Sequence, residues 1–340
     1  MLFGHGDDVG AGKDRVVGNF SSNVWYDGYC NDLKQVVVAA IEQISCYPEP
    51  DAHSLRMLLA AKRGVGIANV VATNGAIEGI YLIAQLFSGS RSLVVVPTFS
   101  EYEDACKLYN HSLSYINEAC FDGAIPTAID VVWICNPNNP SGRVWSRSFL
   151  LDLIACNPHK MFVVDQSYQT FYEGELLHES DVLAYPNLVV IGSLTKCYAI
   201  PGIRVGYVVA SSQVVEQMLN IRIPWSVNSL AVAVASYFLE NEERYKLPLS
   251  RWMSDKHRLV ADLAEVDYLE VASSETPFFL AKLRKGSSTE LKSYLLSEHK
   301  LLIRDASNFR GLDSSFIRIS PQQSSINALL VNALKQWMYR

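Results

Sequence analysis

The sequence is short of several things, and each shortage closes off a class of protein. No apolar run reaches the roughly 20 residues that a membrane-spanning helix needs, and the opening "MLFGHGDDVGAGKDR" lacks the apolar stretch of a signal peptide. The expectation is a soluble, cytoplasmic protein with no membrane partner. Basic residues are outnumbered, 29 Lys and Arg against 35 Asp and Glu for a net charge of -6, and they form no block. That argues against a nucleic-acid partner, and any anionic ligand must be met by local cations. The seven cysteines are odd in number, scattered and without a C-x-x-C pair, so neither a disulfide framework nor a metal site is expected. Repeats and low-complexity linkers are missing too. "GAGK" at Gly10–Lys13 resembles a phosphate loop, yet Asp14 stands where Ser or Thr is required and no strand precedes it. It reads as a polar turn.

What is present is apolar. Of 340 residues, 49% are hydrophobic and 19% charged, which suffices for roughly two ordinary domain cores. From about Asn69 to Ala210 short β-branched runs alternate with helical stretches. "NVVATNG", "SLVVVP", "DVVWICNPNNP", "KMFVVDQSY", "NLVVIGS" and "GYVVAS" are almost continuously apolar, as strands buried on both faces are. Helices are expected between several of them, at Ala76–Phe87 and Ser146–Ala155. The pattern predicts an α/β fold with a largely parallel sheet. After Pro224 the character changes: helices are expected over Ser229–Glu240 and Glu243–Val266, short strands at "FFLAKL", "LLIRD" and "FIRIS", and a closing helix over Ser324–Tyr339. The expected division is an arm over 1–45 that contributes to the small domain and the substrate site, a large domain over 46–228, and a small α+β domain over 229–340.

Ligands of such sheets sit beyond the carboxyl ends of the strands, and the polar residues gather there. "SLTKCYAIPGIRVGY" places Lys196 just past a strand and Arg204 across a Pro-Gly turn from it. A lysine amine can condense with an aldehyde, which is the Schiff-base chemistry of pyridoxal phosphate. That cofactor makes further demands. Its pyridinium nitrogen needs a carboxylate that keeps it protonated so that the ring can draw electrons, and Asp165 closes the run "KMFVVD". Its phenolate oxygen needs donors, and Tyr168 and Asn139 stand at neighbouring strand ends. Its phosphate needs N–H groups at a helix start and a fixed cation. Gly75, Ala76 and Ile77 offer the first; Ser193 and Arg204 offer a hydroxyl and a guanidinium. Its ring face needs an aromatic, and Tyr102 of "PTFSEY" follows a strand end. Singly, each has a plainer reading: "NPNNPSG" as a turn, Asp165 as a helix cap, Tyr102 as core, Lys196 as a solvated loop residue. Together they answer separate needs of one molecule.

In this order, Gly75-Ala76, Tyr102, Asn139, Asp165 with Tyr168, Ser193-x-x-Lys196 and Arg204, the chain resembles the fold-type I pyridoxal-phosphate enzymes of the class I/II aminotransferase family. The resemblance runs over nearly the whole chain. It implies that the large domain binds the cofactor, that Lys196 holds it covalently with Thr195 beside it, and that Arg204 binds its phosphate. "CYPEP" at Cys46–Pro50 also matches. In the family the tyrosine of that motif, here Tyr47, reaches the cofactor phosphate of the neighbouring subunit, so a homodimer is implied.

Two branches of the family resemble the chain: histidinol-phosphate aminotransferase and the threonine-phosphate decarboxylase of cobalamin synthesis. "NFSSN", "PWSVN" and "LIRDASNFRGLD" lean toward the second. That resemblance makes Arg304 and Arg318 binders of the anionic groups of a small phosphorylated amino acid, with His5 and Asn23 from the arm. Trp25-Tyr26 and the segment "ISPQQSSIN" after Arg318 depart from the usual pattern. Whichever bond at the substrate Cα stands perpendicular to the cofactor ring breaks most easily; a carboxylate held there leaves as carbon dioxide. If hydrogen stands there, freed Lys196 can act as general base for transamination. The residues serve both reactions, and decarboxylation is expected from the resemblance. A reading from another class is a catalytically silent binding module, against which the presence of Lys196 counts.

Overall fold

In the computed structural model, which describes residues 16–28 and 30–337, the apolar runs form strands because a sheet covered on both faces is where aliphatic side chains without polar alternation are best buried. The arm carries β1 (Gly18–Asn19). The large sheet follows: β2 (Val70–Thr73), β3 (Arg91–Val96), β4 (Ser112–Asn117), β5 (Val131–Cys135), β6 (Met161–Asp165), β7 (Leu188–Ser193) and β8 (Gly206–Val209). Its strand order is β2-β8-β7-β6-β5-β3-β4. The β3–β4, β3–β5, β5–β6 and β6–β7 pairs are parallel, while β8 runs antiparallel to both of its neighbours.

Alternate strand residues feed two cores. Val132, Ile134, Val164 and Val190 face one side with Leu55, Leu59, Leu150 and Leu153 of the helices His53–Arg63 and Arg147–Cys156. Trp133, Val163, Val189 and Ile191 face the other with Ile80, Ile83, Ala105 and Met218. The edge strand β4 was not expected from the sequence. Its residues are half-exposed or exposed throughout, so it lacks the continuous apolar run that marks the central strands.

The smaller sheet holds β9 (Leu269–Val271), β10 (Phe279–Leu283), β12 (Arg304–Asp305) and β13 (Phe316–Ile319), antiparallel in the order β12-β13-β10-β9, while β11 (Leu301–Leu302) pairs with β1. Phe20 of the arm is fully buried in this unit's core with Phe279, Ile317 and Leu330. The arm's helix Asp32–Ala40 instead lies on the helix Ser229–Glu240. That second helix, expected in the small domain, buries Ala231, Val234 and Phe238 in the core of the large sheet beside Leu55 and Leu59. One expected helix is corrected. Glu243–Val266 divides into a short 3-10 turn, Glu242–Tyr245, and a helix, Leu249–Leu263, because Pro248 has no N–H to continue a helix and disfavours helical backbone before it. The closing helix spans Ser324–Trp337.

Candidate active site

The reversal of β8 shapes the site. Its first residue, Gly206, is in register with Ser193 at the carboxyl end of β7 and with Thr73 at that of β2. The loop before β8 therefore opens on the edge where the parallel strands end. Side chains from several of these strand ends, from the arm and from the small sheet enclose a cavity of about 280 Å³ lined by Asn23, Ala76, Ile77, Tyr102, Asn139, Asp165, Tyr168, Ser193, Thr195, Lys196, Arg204 and Arg318.

At one end stands an anion cradle. The helix Gly75–Leu86 begins there, and Gly75 has φ +75°, open only to a residue without Cβ at low cost. A Cβ on Gly75 would collide with the guanidinium of Arg204, so the cation lies directly against the helix start. Arg204 itself adopts left-handed backbone, φ 60°, and Nη1 donates to the Pro201 carbonyl at 3.0 Å. Ser193 Oγ caps the short helix Leu194–Cys197 and lies 2.8 Å from Thr195 Oγ1. Burial pulls the Arg204 guanidinium below its ordinary value, and among the described residues it has no carboxylate partner. A helix start, two hydroxyls and a cation without a counter-ion suit a phosphate group.

In the middle stands Asp165, 4% exposed. Tyr102 Oη donates to its Oδ2 at 2.7 Å and the Ser167 amide to its Oδ1 at 2.8 Å. Burial pushes the carboxyl upward, and the donors partly oppose the shift. A cationic N–H facing it would restore the charge. Tyr102, expected on the cofactor's ring face, lines the cavity and is also stacked on Trp133 at 5.8 Å, a second contact that its place in the sequence did not announce. Tyr168 is pushed up to about 12, chiefly by burial, so its hydroxyl stays protonated at neutral pH and can donate. Asn23 Nδ2 donates to Tyr168 Oη at 3.4 Å, and Asn23 Oδ1 is buried with no partner among the described atoms.

At the other end Arg318, 4% exposed, donates through Nη1 to Asn139 Oδ1 and through Nη2 to the Ser21 carbonyl at 2.5 Å. Its Nε is buried and unpartnered, and it has no carboxylate partner among the described residues. Burial pulls the guanidinium down to about 10, still charged at neutral pH. A buried cation held only by neutral acceptors is arranged for an anion that arrives with a ligand. Asn139 is itself seated by the neighbouring Asn138, whose Nδ2 donates to Glu118 Oε2 at 2.8 Å and to the Pro97 carbonyl at 2.8 Å.

The structure brings together Asn23, Gly75, Ala76, Ile77, Tyr102, Asn139, Asp165, Tyr168, Ser193, Thr195, Lys196, Arg204 and Arg318. Arg304 does not line the cavity; it lies one strand away, opposite Arg318, with Nη2 donating to Asn308 Oδ1 at 2.8 Å. Tyr47 lies away from it, 86% exposed, its ring 5.5 Å from that of Trp225. His5 and the Gly10–Lys13 turn are outside the described residues. Sequence reasoning missed Ser21, whose carbonyl receives Arg318 two residues before Asn23, and Ser167, whose amide binds Asp165 and which adjoins Tyr168. A larger groove of about 560 Å³ lies behind the helix Leu194–Cys197, but its Arg63 is already paired with Glu179 at 3.6 Å and Glu242 at 3.2 Å.

The donor set fits pyridoxal phosphate: a cradle for the phosphate, a carboxylate for the ring nitrogen, hydroxyl and amide donors beside it and a lysine within the cavity wall. Comparison with known proteins gives the same answer. Residues 15–333 match the family described as Aminotransferase class I and II. The chain is 29% identical over 332 residues to histidinol-phosphate aminotransferase 2 of Archaeoglobus fulgidus, covering 95% of this chain and 94% of that protein. It is 29% identical over 339 residues to the adenosylcobalamin biosynthesis bifunctional protein CobDQ of Leptospira interrogans, covering 94% of this chain but only 39% of that longer protein. The crystal structure of L-threonine-O-3-phosphate decarboxylase from Porphyromonas gingivalis superposes with a TM-score of 0.93 at 40% identity, covering 95% of this chain and 100% of that one. The fold, the cavity and these likenesses place the chain in the class I and II aminotransferase family, as a pyridoxal-phosphate-dependent enzyme.

Proposed function

We propose that the enzyme removes the carboxyl group of L-threonine O-3-phosphate, giving aminopropanol phosphate. The observation that carries this reading is Arg318 in the wall of the cavity with a second arginine, Arg304, as its cross-strand partner one strand beyond it. Threonine phosphate brings two anionic groups on a compact frame, whereas histidinol phosphate brings one and needs room for an imidazole. The 40% identity to an L-threonine-O-3-phosphate decarboxylase supports the choice.

When bound, the cofactor supplies an electron-withdrawing ring conjugated to the substrate amine. The rest falls to the chain. Gly75, Ala76, Ile77, Ser193, Thr195 and Arg204 hold the phosphate; Asp165 keeps the ring nitrogen protonated; Tyr168 and Asn139 donate to the ring oxygen. Arg318, braced by Asn139 and Ser21, grips one substrate anion. Asn23 steadies the Tyr168 hydroxyl, and His5 is assigned to the same end. Lys196, in the cavity wall, would hold the cofactor and, once its amine is free, would return a proton to Cα after carbon dioxide leaves.

The assembly we infer is a homodimer. Ile44, Tyr47 and Trp225 are exposed apolar side chains that line one surface groove, the kind of patch that a partner surface covers. A second copy covering them would bring Tyr47 to its neighbour's phosphate cradle.

The deciding assay offers L-threonine O-3-phosphate and histidinol phosphate, with 2-oxoglutarate, to one preparation and measures carbon dioxide and glutamate together. Carbon dioxide from the first is the expected result. Glutamate from the second without carbon dioxide from the first would assign the enzyme to histidinol-phosphate transamination, the reading that the Archaeoglobus relative supports.

A further inference from the structure

Residues 306–315 link β12 to β13, the two strands that carry Arg304 and Arg318. Consecutive residues of this loop face in two directions. Asn308 accepts from Arg304 Nη2 at 2.8 Å, and the Phe309 ring lies 5.1 Å from the Arg304 guanidinium. Phe309 is buried against Leu280 and Ala306, which fixes that side of the loop in the small unit. Arg310 turns the other way and crosses to the large unit. Its Nε donates to Glu103 Oε2 at 2.6 Å and its Nη2 to Glu103 Oε1 at 2.6 Å, a two-pronged pair. Its guanidinium lies 4.1 Å over the ring of Tyr115 on β4.

Glu103 belongs to the helix Glu101–Leu108, next to Tyr102, whose hydroxyl is bonded to Asp165. One turn of that helix thus touches the site on its inner side and the loop on its outer side. An exposed ion pair contributes little. This one has a fixed fork geometry, a carboxylate only 14% exposed and an aromatic ring beneath the cation, all of which strengthen it. The carboxyl of Glu103 is held down at about 2, with Arg310 the foremost cause and Lys107 adding to it.

We propose that Arg310 and Glu103 form a latch between the two units that positions Arg304, through Asn308 and Phe309, for the phosphate of the substrate. Arg310 is then a positioning residue, not a catalytic one. The inference rests on the reading that the substrate is phosphorylated. It does not rest on which bond at Cα is broken.

The test uses holoenzyme of the wild type, Arg310→Ala, Arg310→Lys and Glu103→Gln. KM and kcat are measured for L-threonine O-3-phosphate and for histidinol phosphate, and the affinity for unphosphorylated L-threonine and histidinol is read from the change in cofactor absorbance on titration. For the phosphorylated substrate that the wild type uses, KM should rise roughly five- to tenfold in Arg310→Ala, the scale of one two-pronged, partly shielded ion pair. In that variant kcat and the affinity for the unphosphorylated counterpart should stay near wild type. Arg310→Lys, which keeps the charge and loses the fork, should fall between. Unchanged KM in both Arg310→Ala and Glu103→Gln overturns the latch. So does a parallel loss for phosphorylated and unphosphorylated ligands, which marks a general loosening. Should Arg310→Ala not fold, the isosteric Glu103→Gln carries the same test. A wild type that uses histidinol phosphate alone overturns the decarboxylase reading while the latch is judged on histidinol phosphate against histidinol; one that uses neither overturns both.

Discussion

Arg304 and Arg318 are direct partners across an antiparallel rung of the small sheet. Like charges so placed repel, and the surroundings offset the repulsion with neutral acceptors: Asn308 for Arg304, Asn139 and the Ser21 carbonyl for Arg318. On the proposed reading, the substrate's anion further relieves the charge of the buried Arg318. Arg318→Ala removes one charge-assisted contact worth about 1.5–3 kcal/mol, so the affinity for the phosphorylated substrate should fall roughly tenfold to a hundredfold. Steady-state kinetics with intact cofactor absorbance checks it. An unchanged KM would take Arg318 out of the substrate site.

Cofactor retention should follow Lys196 and Gly75 separately. Lys196→Ala should lose the covalent link, seen as loss of the visible absorbance of the lysine-linked cofactor, while the phosphate cradle still binds. Gly75→Ala leaves the lysine intact but forces a side chain at φ +75° into the space of Arg204. Equilibrium dialysis should show weaker cofactor binding in that variant.

Removing the charge of Asp165 should leave the cofactor bound and slow the chemistry. Loss of one well-placed electrostatic partner costs on the order of 10²–10³ in rate, and Asp165→Asn is expected in that range. Tyr102→Phe removes only the donor to Oδ2 and should be much milder. Near-normal turnover by Asp165→Asn would show that another group holds the ring nitrogen.

The latch has a pH signature. The Glu103 carboxyl is lowered in the folded protein to about 2, so it contributes stability that is fully present above the unfolded-state value of roughly 4.3. That contribution is lost as pH falls from there through the folded value. The difference in urea midpoint between wild type and Arg310→Ala should therefore be constant above about pH 5 and shrink toward pH 2. A difference that persists undiminished at pH 2 would mean that the pair does not act through charge.

The proposed dimer is checked by complementation. Tyr47→Phe should weaken cofactor retention, and mixing Tyr47→Phe with Lys196→Ala subunits should restore some activity, because one intact site can form from two damaged chains. A monomeric native mass at micromolar concentration with cofactor bound would contradict it.

The cofactor end of the site was legible in the sequence for a physical reason. Asn139, Asp165, Ser193 and Lys196 each follow an unbroken apolar run, and strands buried on both faces announce where they end. The substrate end was not so marked. Arg304 and Arg318 lie on strands of two and four residues, too short for a clear period, and the acceptors that brace them, the Ser21 carbonyl and Asn308, belong to irregular backbone. The break at Pro248 was visible as a residue type and overlooked beneath an otherwise helical pattern. Edge strand β4 hid for the opposite reason: its half-wet surface dilutes the apolar signal on which the other strands were found.

Because β8 runs against its neighbours, a single short loop joins the lysine to the arginine of the phosphate cradle. Arg318, by contrast, meets Asn139 and Ser21 only once sequence positions far apart in the chain have come together. The cofactor half also needs closures, Gly75 against Arg204 and Tyr102 on Asp165 across 63 residues. They are shorter than the 179 and 297 residues that separate Arg318 from Asn139 and Ser21, and long closures are the slower ones to form. During refolding the chain is expected to recapture its cofactor, seen in the visible absorbance, before it regains the power to select a substrate. The enzyme's colour and its turnover would then be two separate clocks for one folding reaction.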